Sequence, residues 1–241
     1  MSANLKRGCG ILLGAAFIIL SILALLPEAD VDHDAGYISS ELNIQETVDG
    51  SVTGTSYVNS DGVITEAIDM DYATVCRMWD ENGRIIGERY LDANGDPVAR
   101  YDDYYGVSYE YDETSTVITY LDAEGNPIIR SDGYSTIIRT QIDSMASEDF
   151  YYDLDGQQVQ CSGGYYGLQH WYNSDGQNTG MTFLDKDGHA VCSSSGYAGV
   201  TYQCNMDGTF VGQQYFDTEG NPVRSMFGQY GELYQRNEQG Y

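Results

Sequence analysis

The sequence predicts an all-β protein, an elongated array of tandem repeats of roughly 31 residues, preceded by one N-terminal transmembrane helix. Three observations carry this. The stretch Tyr90-Leu-Asp-Ala-Asn-Gly-Asp-Pro-Val98 returns as Tyr120-Leu-Asp-Ala-Glu-Gly-Asn-Pro-Ile128 and as Phe216-Asp-Thr-Glu-Gly-Asn-Pro-Val223, with weaker copies at Tyr151–Val159 and Phe183–Val191. Asp or Asn marks run from Asn59 to Asn237 in a rhythm where an arm of 20–21 residues alternates with one of 10–12. Ahead of the array lies an uncharged apolar run, Cys9–Leu26.

That run has 18 residues, with Lys6 and Arg7 before it and Glu28, Asp30, Asp32 and Asp34 after it. About 17–25 apolar residues suffice to cross a bilayer as a helix. Basic before and acidic after places the N-terminus inside and the array outside. A cleaved signal peptide is the competing reading, but Pro27 precedes Ala29 where the cleavage site wants small residues. The expected organisation is a cytoplasmic N-terminus over 1–8, a transmembrane signal-anchor over 9–26, an acidic linker over 27–56 and six repeats over 57–241.

All 37 acidic residues lie at or beyond Glu28, and Lys186 is the array's one lysine. Nucleic acid is excluded as a partner, because phosphate contacts need Lys and Arg. The same charge disfavours anionic polymers on the general surface.

Most marks read Asp/Asn-x-x-Gly. The side chain accepts backbone N–H groups further along the turn, and Gly supplies the positive φ that closes it. Asp112-Glu-Thr-Ser115 and Asp143-Ser-Met-Ala146 lack the Gly, which predicts looser turns. Within residues 90–119, Pro97–Tyr101, Val107–Asp112 and Thr116–Asp122 suit strands, giving about three per unit. Two arrangements fit: an antiparallel meander and a three-sided parallel solenoid. The turns are of the hairpin-closing kind, which favours the meander.

Candidate site residues follow from the repeat. Tyr90, Tyr120, Tyr151, Phe183 and Tyr215 fall at one position and suit a stacked ladder between units. Tyr104, Tyr134, Tyr165 and Tyr197 sit at a corner, three of them after Gly, and are expected to be exposed platforms for sugar rings. Asp92–Gly95, Asp153–Gly156, Asp185–Gly188 and Asn205–Gly208 begin like Ca²⁺ loops, yet from Asp153 and Asp185 it is Gly164 and Gly196 that stand where an EF-hand needs its twelfth-position Glu. What is left is weak Ca²⁺ binding shared between turns, and no cofactor is expected. Of Cys76, Cys161, Cys192 and Cys204, the pair Cys192 and Cys204 is a disulfide candidate across the Gly196-Tyr197 corner, with the connectivity open. His33, His170 and His189 belong to no recognisable catalytic arrangement, so no enzyme is expected.

Aromatic-x-Asp-x-x-Gly-Asn-Pro-Val resembles the aromatic and Gly-rich repeats of Gram-positive cell-wall-binding, glucan-binding and toxin-type domains. Tyr109-Glu-Tyr-Asp112 followed by a strand resembles the YD repeats of Rhs-type surface proteins. Either resemblance spans Tyr57–Tyr241. The wall-binding repeats are shorter and Trp-rich, whereas Trp79 and Trp171 are the tryptophans here. The resemblance implies a bacterial, surface-exposed β-repeat protein, which the apolar run over 9–26 is expected to hold in the membrane. The expected function is noncatalytic binding or adhesion to cell-wall glycan, extracellular polysaccharide or another surface protein. The alternative is a stalk with no ligand of its own.

Overall fold

The computed structural model describes residues 43–66, 71–101, 103–204 and 210–233. The expected membrane helix and the marks at Asn205 and Asn237 lie outside them.

Strands form where apolar and polar residues alternate, because successive side chains leave opposite faces. In Gly106–Tyr111, Val107 and Tyr109 are buried while Glu110 is exposed. The strands come in pairs: β1 (Asn43–Asp49) with β2 (Val52–Val58), β3 (Thr74–Trp79) with β4 (Ile85–Leu91), and β5 (Gly106–Tyr111) with β6 (Ser115–Leu121). Then follow β7 (Thr136–Asp143) with β8 (Ala146–Tyr152), β9 (Gly167–Tyr172) with β10 (Asn178–Leu184), β11 (Gly199–Cys204) with β12 (Phe210–Phe216), and last β13 (Gly231–Leu233). All lie in one 13-stranded sheet in strict chain order, and every neighbouring pair is antiparallel. The fold is therefore all-β and a meander, and the solenoid alternative is set aside.

Three expectations need correction. Among the described residues the sheet runs from Asn43, so the stretch read as linker up to 56 already contains a hairpin of it. The Gly-less turns are the tighter ones. Asp112 N–H donates to Ser115 O at 2.9 Å, whereas Asp80 N–H must reach Arg84 O. These turns belong to the 10-residue arms, and none of their residues takes a positive φ. Finally, each unit has two ladder strands and not three. The segment after each Asp turn makes a single bridge, as in Leu91↔Pro97. Pro97, Pro127 and Pro222 bring no N–H for a longer ladder.

The long connections decide what the sheet buries. Asp92 N–H donates to Asp96 O at 2.8 Å, and its Oδ1 accepts the N–H groups of Asn94 and Asp96. Gly95 takes φ +88°. The chain then returns over its own strand, Val98 N–H donating to Tyr90 O at 3.0 Å. Ile128 to Tyr120, Val159 to Tyr151, Val191 to Phe183 and Val223 to Tyr215 repeat that bond at 2.9–3.0 Å. A corner follows, and successive corners are tied together. Ser162 N–H reaches Asp132 O, Ser194 N–H reaches Gly163 O, and Met226 N–H reaches Ser195 O, all at 2.7–2.8 Å.

Candidate functional site

Because each connection folds back, its corner ring lands between two strand rings. Eleven aromatics thus form one continuous series: Tyr57, Tyr72, Tyr90, Tyr104, Tyr120, Tyr134, Tyr151, Tyr165, Phe183, Tyr197 and Tyr215. Neighbouring centroids stand 4.3–6.1 Å apart, at or close to the separations of favourable ring pairs. The strand rings Tyr90, Tyr120, Tyr151, Phe183 and Tyr215 are all buried, as a ladder position requires.

The corner tyrosines are a correction. Tyr134 is buried, and Tyr104, Tyr165 and Tyr197 are half-buried against the same core. They are rungs of the ladder, not exposed platforms. Arg130 closes over Tyr104 and Tyr134, 5.4 Å from each centroid, and lies 4.6 Å from that of Tyr120 between them. Its Nε donates to Asp103 Oδ2 and its Nη1 to the Tyr134 hydroxyl, both at 2.7 Å. Burial pushes the Tyr120 phenol up to about 12 despite the guanidinium beside it.

A second polar cluster lies deeper. Arg139 on β7 faces Asp149 on β8 in register, with two hydrogen bonds of 2.6 Å. His170 Nε2 on β9 lies 3.3 Å from Asp149 Oδ2. Burial acts to raise the Asp149 carboxyl, but the Arg139 guanidinium overrides it and holds the group down at about 2. Ser147 pairs with His170 across the strands, giving a Ser, His and Asp in one neighbourhood. The wiring is not that of a nucleophile. Ser147 Oγ shares its hydrogen bond with the Tyr172 hydroxyl, and the second His170 nitrogen faces Asn178. All three side chains are closed to solvent.

The turn aspartates gather one potential ligand group among the described residues, Asp185, Asp187 and His189, whose donor atoms lie within 4.8 Å of one another. Asp185 Oδ1 already accepts the N–H groups of Asp187 and His189 at 2.9 Å. The His189 N–H does most to keep the Asp185 carboxyl below the usual range, with the Asp187 N–H helping. This is turn chemistry with an exposed rim.

The cysteine pairing is also corrected. Cys192 and Cys204 carry free thiols. Cys192 follows the Ala190 bridge at the corner side of the sheet, while Cys204 ends β11 against Phe210 at the opposite side. The strand between them spans roughly 17 Å, well beyond the reach of a disulfide at about 7 Å between Cα atoms.

One site was missed in the sequence. It lies on the outer face, opposite the ladder, where the residue just before each ladder ring meets the next unit. Arg89 meets Gly106, Phe150 meets Gly167, Thr182 meets Gly199 and Gln214 meets Gly231, while Ser56 meets Thr74 and Thr119 meets Thr136. Arg89 leans over Gly106 and Gly125, and Phe150 leans over Gly167 toward Gly188, each covering its glycines. The two pairs without glycine fill the space with their own hydroxyls, 2.9 and 3.4 Å apart. At Thr182 a short side chain meets a glycine, and nothing fills the space. The result is a groove of about 410 Å³ lined by Trp171, Thr182, Gly199, Phe216, Asp217 and Gly220. Trp171 stands opposite Gly180, so its indole can cross β10, where Nε1 donates to Thr182 Oγ1 at 3.2 Å. It stays 41% exposed. The signal was present: aligning the residue before each ring reads Arg89, Thr119, Phe150, Thr182 and Gln214. The glycine floor is what could not be read without the register.

No protein-family model and no curated protein matches the chain, so its geometry alone carries the functional argument.

Proposed function

We propose that this chain is a noncatalytic binding and adhesion protein, held in a bacterial cell membrane by residues 9–26 and presenting its repeats outside. Its target is cell-wall or extracellular polysaccharide, or another surface protein. The observation that carries this reading is the outer-face groove beside Trp171. It is open to solvent, aromatic on one wall and hydroxyl-bearing around its rim, and its one ionisable lining side chain, Asp217, is engaged by the N–H groups of its own turn. The continuous ladder supports the second reading, a stalk whose repeats set reach and rigidity.

The full chain in detergent separates the two. Incubated with isolated wall sacculi and insoluble polysaccharides, with and without Ca²⁺, it is retained on at least one matrix if it binds glycan. Retention only with Ca²⁺ would give the turn aspartates a direct part. Retention on cells but on no glycan matrix would make a surface protein the target. No retention on either would leave the stalk.

A further inference from the structure

We infer that the groove over Gly199 is a saccharide subsite that takes one neutral pyranose ring against Trp171. This deepens the binding function proposed above and rests on it.

The groove is set apart by what it lacks. Its counterparts at Gly106 and Gly167 are closed by Arg89 and Phe150, so the fold itself needs no empty space here. The volume of about 410 Å³ is near the low end for small-molecule sites, roughly 300–1,000 Å³, and suits one ring with its substituents. The shape is that of a vacated side chain, with Trp171 and Phe216 as apolar walls and glycine backbone as floor.

The polar groups then narrow the class. Thr182 Oγ1 accepts the indole N–H at 3.2 Å, which fixes the ring and leaves the threonine's own O–H to donate. Thr201 and Thr218 also line the groove and are exposed. Hydroxyls around an aromatic wall match a pyranose, which has an apolar C–H face and a rim of hydroxyl groups. Asp217 is the one ionisable side chain lining the groove. Its Oδ1 accepts the N–H groups of Asn221 and Glu219 at 2.8 and 3.0 Å, so it is locked in its turn. A fixed negative charge at the rim of a chain with formal net charge −26 repels uronic acids and phosphates. No cation is present in the lining to recruit them.

Trp171 reports its own occupancy. In the full chain carrying W79F it is the remaining tryptophan. The methyl glycosides of glucose, galactose and N-acetylglucosamine are titrated, with glucuronate as the anionic probe and benzyl alcohol as the apolar one. The expected result is a saturable change in Trp171 emission with at least one neutral glycoside, and about tenfold or greater weakening in T182F. T182F places in this unit the side chain that Phe150 provides over Gly167, so the fold has a precedent for it. T182V keeps the shape, loses the hydroxyl, and is expected to bind more weakly than the parent. Glucuronate binding as well as the neutral sugars would overturn the assignment. So would a response to benzyl alcohol alone, which would point to a protein side chain as occupant. If the chain is retained on a glycan matrix and T182F is retained equally, this subsite is wrong while the binding function stands. If no matrix retains the chain, the binding function itself has failed.

Discussion

At the residue scale, the burial of Asp149 is the sharpest commitment the sequence makes. A carboxylate with no solvent contact persists because Arg139 meets it with two hydrogen bonds and His170 stands on its other side. Removing one partner from such a pair leaves the other charge buried and costs about 3–5 kcal/mol. D149A is thus expected to lower the stability of the array by that amount in urea denaturation. Replacing both members at once, with R139M and D149L, should cost far less, since no uncompensated charge remains. The acid limb follows from the same pair. The folded carboxyl titrates at about 2, below the unfolded value near 3.9. Its stabilisation is complete above the unfolded value and fades as pH falls from there toward about 2. Acid unfolding of the parent should therefore steepen in that window, and the double variant should flatten it. None of this pairing was legible beforehand. Arg139 and Asp149 are 10 positions apart in a chain rich in acidic residues, and the register that sets them opposite each other depends on the two-residue turn at Asp143.

At the scale of the strand and its connection, glycine shows how closely the units approach. A methyl group placed on Gly167 would run into the Asp149 carbonyl oxygen, and one on Gly199 would lie 2.8 Å from the Met181 oxygen. Backbone cannot yield as a flexible side chain can, so G167A should destabilise by about 1–3 kcal/mol, the usual cost of overpacking. The turn glycine Gly95 makes the contrast. It has open space around it but takes φ +88°, so G95A should cost about 1–2 kcal/mol through backbone strain alone. Thermal melts of the two variants test this directly. A G95N variant should recover part of the loss, because Asn tolerates the left-handed region, while G167N should be worse than G167A. The same scale explains what the sequence revealed and what it hid. Asp-x-x-Gly fixed where the chain turns, since that chemistry is local. The corner after it was misread because a tyrosine beside a glycine looks like a solvent-facing loop. Only the return of the connection over its own strand carries Tyr134 to 4.4 Å from Tyr151, ring centroid to ring centroid.

At the scale of the whole molecule, contacts are made between chain neighbours, as in repeat arrays whose stability is a sum of units and interfaces. The ladder is the thread through all of them, and it predicts the alkaline limit. Burial pushes Tyr120 up to about 12, and drives Tyr90 and Tyr151 well above their ordinary value. The unfolded phenols titrate near 10. Stability is therefore complete below that value and is lost as pH rises toward the folded values. Phenolate absorbance of the ladder rings should appear together with the loss of β-sheet circular dichroism, and not before it. A unit deletion then asks whether the array is modular. Excising residues 122–152 joins Leu121 to Asp153, which takes the place of Asp122 at the head of the same turn. The cut removes β7 and β8 and brings Thr119 opposite Gly167, where Phe150 had been. The ladder closes up, since Tyr165 can follow Tyr120 as Tyr134 did. The shortened chain should fold, with a urea m-value reduced in proportion to the surface lost. It should also carry an extra outer-face opening above Gly167, without a tryptophan beside it, because the strand before β6 bears Glu110 where Trp171 stands. Sugar binding measured on this variant should keep one site per chain. A second site would mean that the empty space alone is sufficient, and that the indole is not the platform.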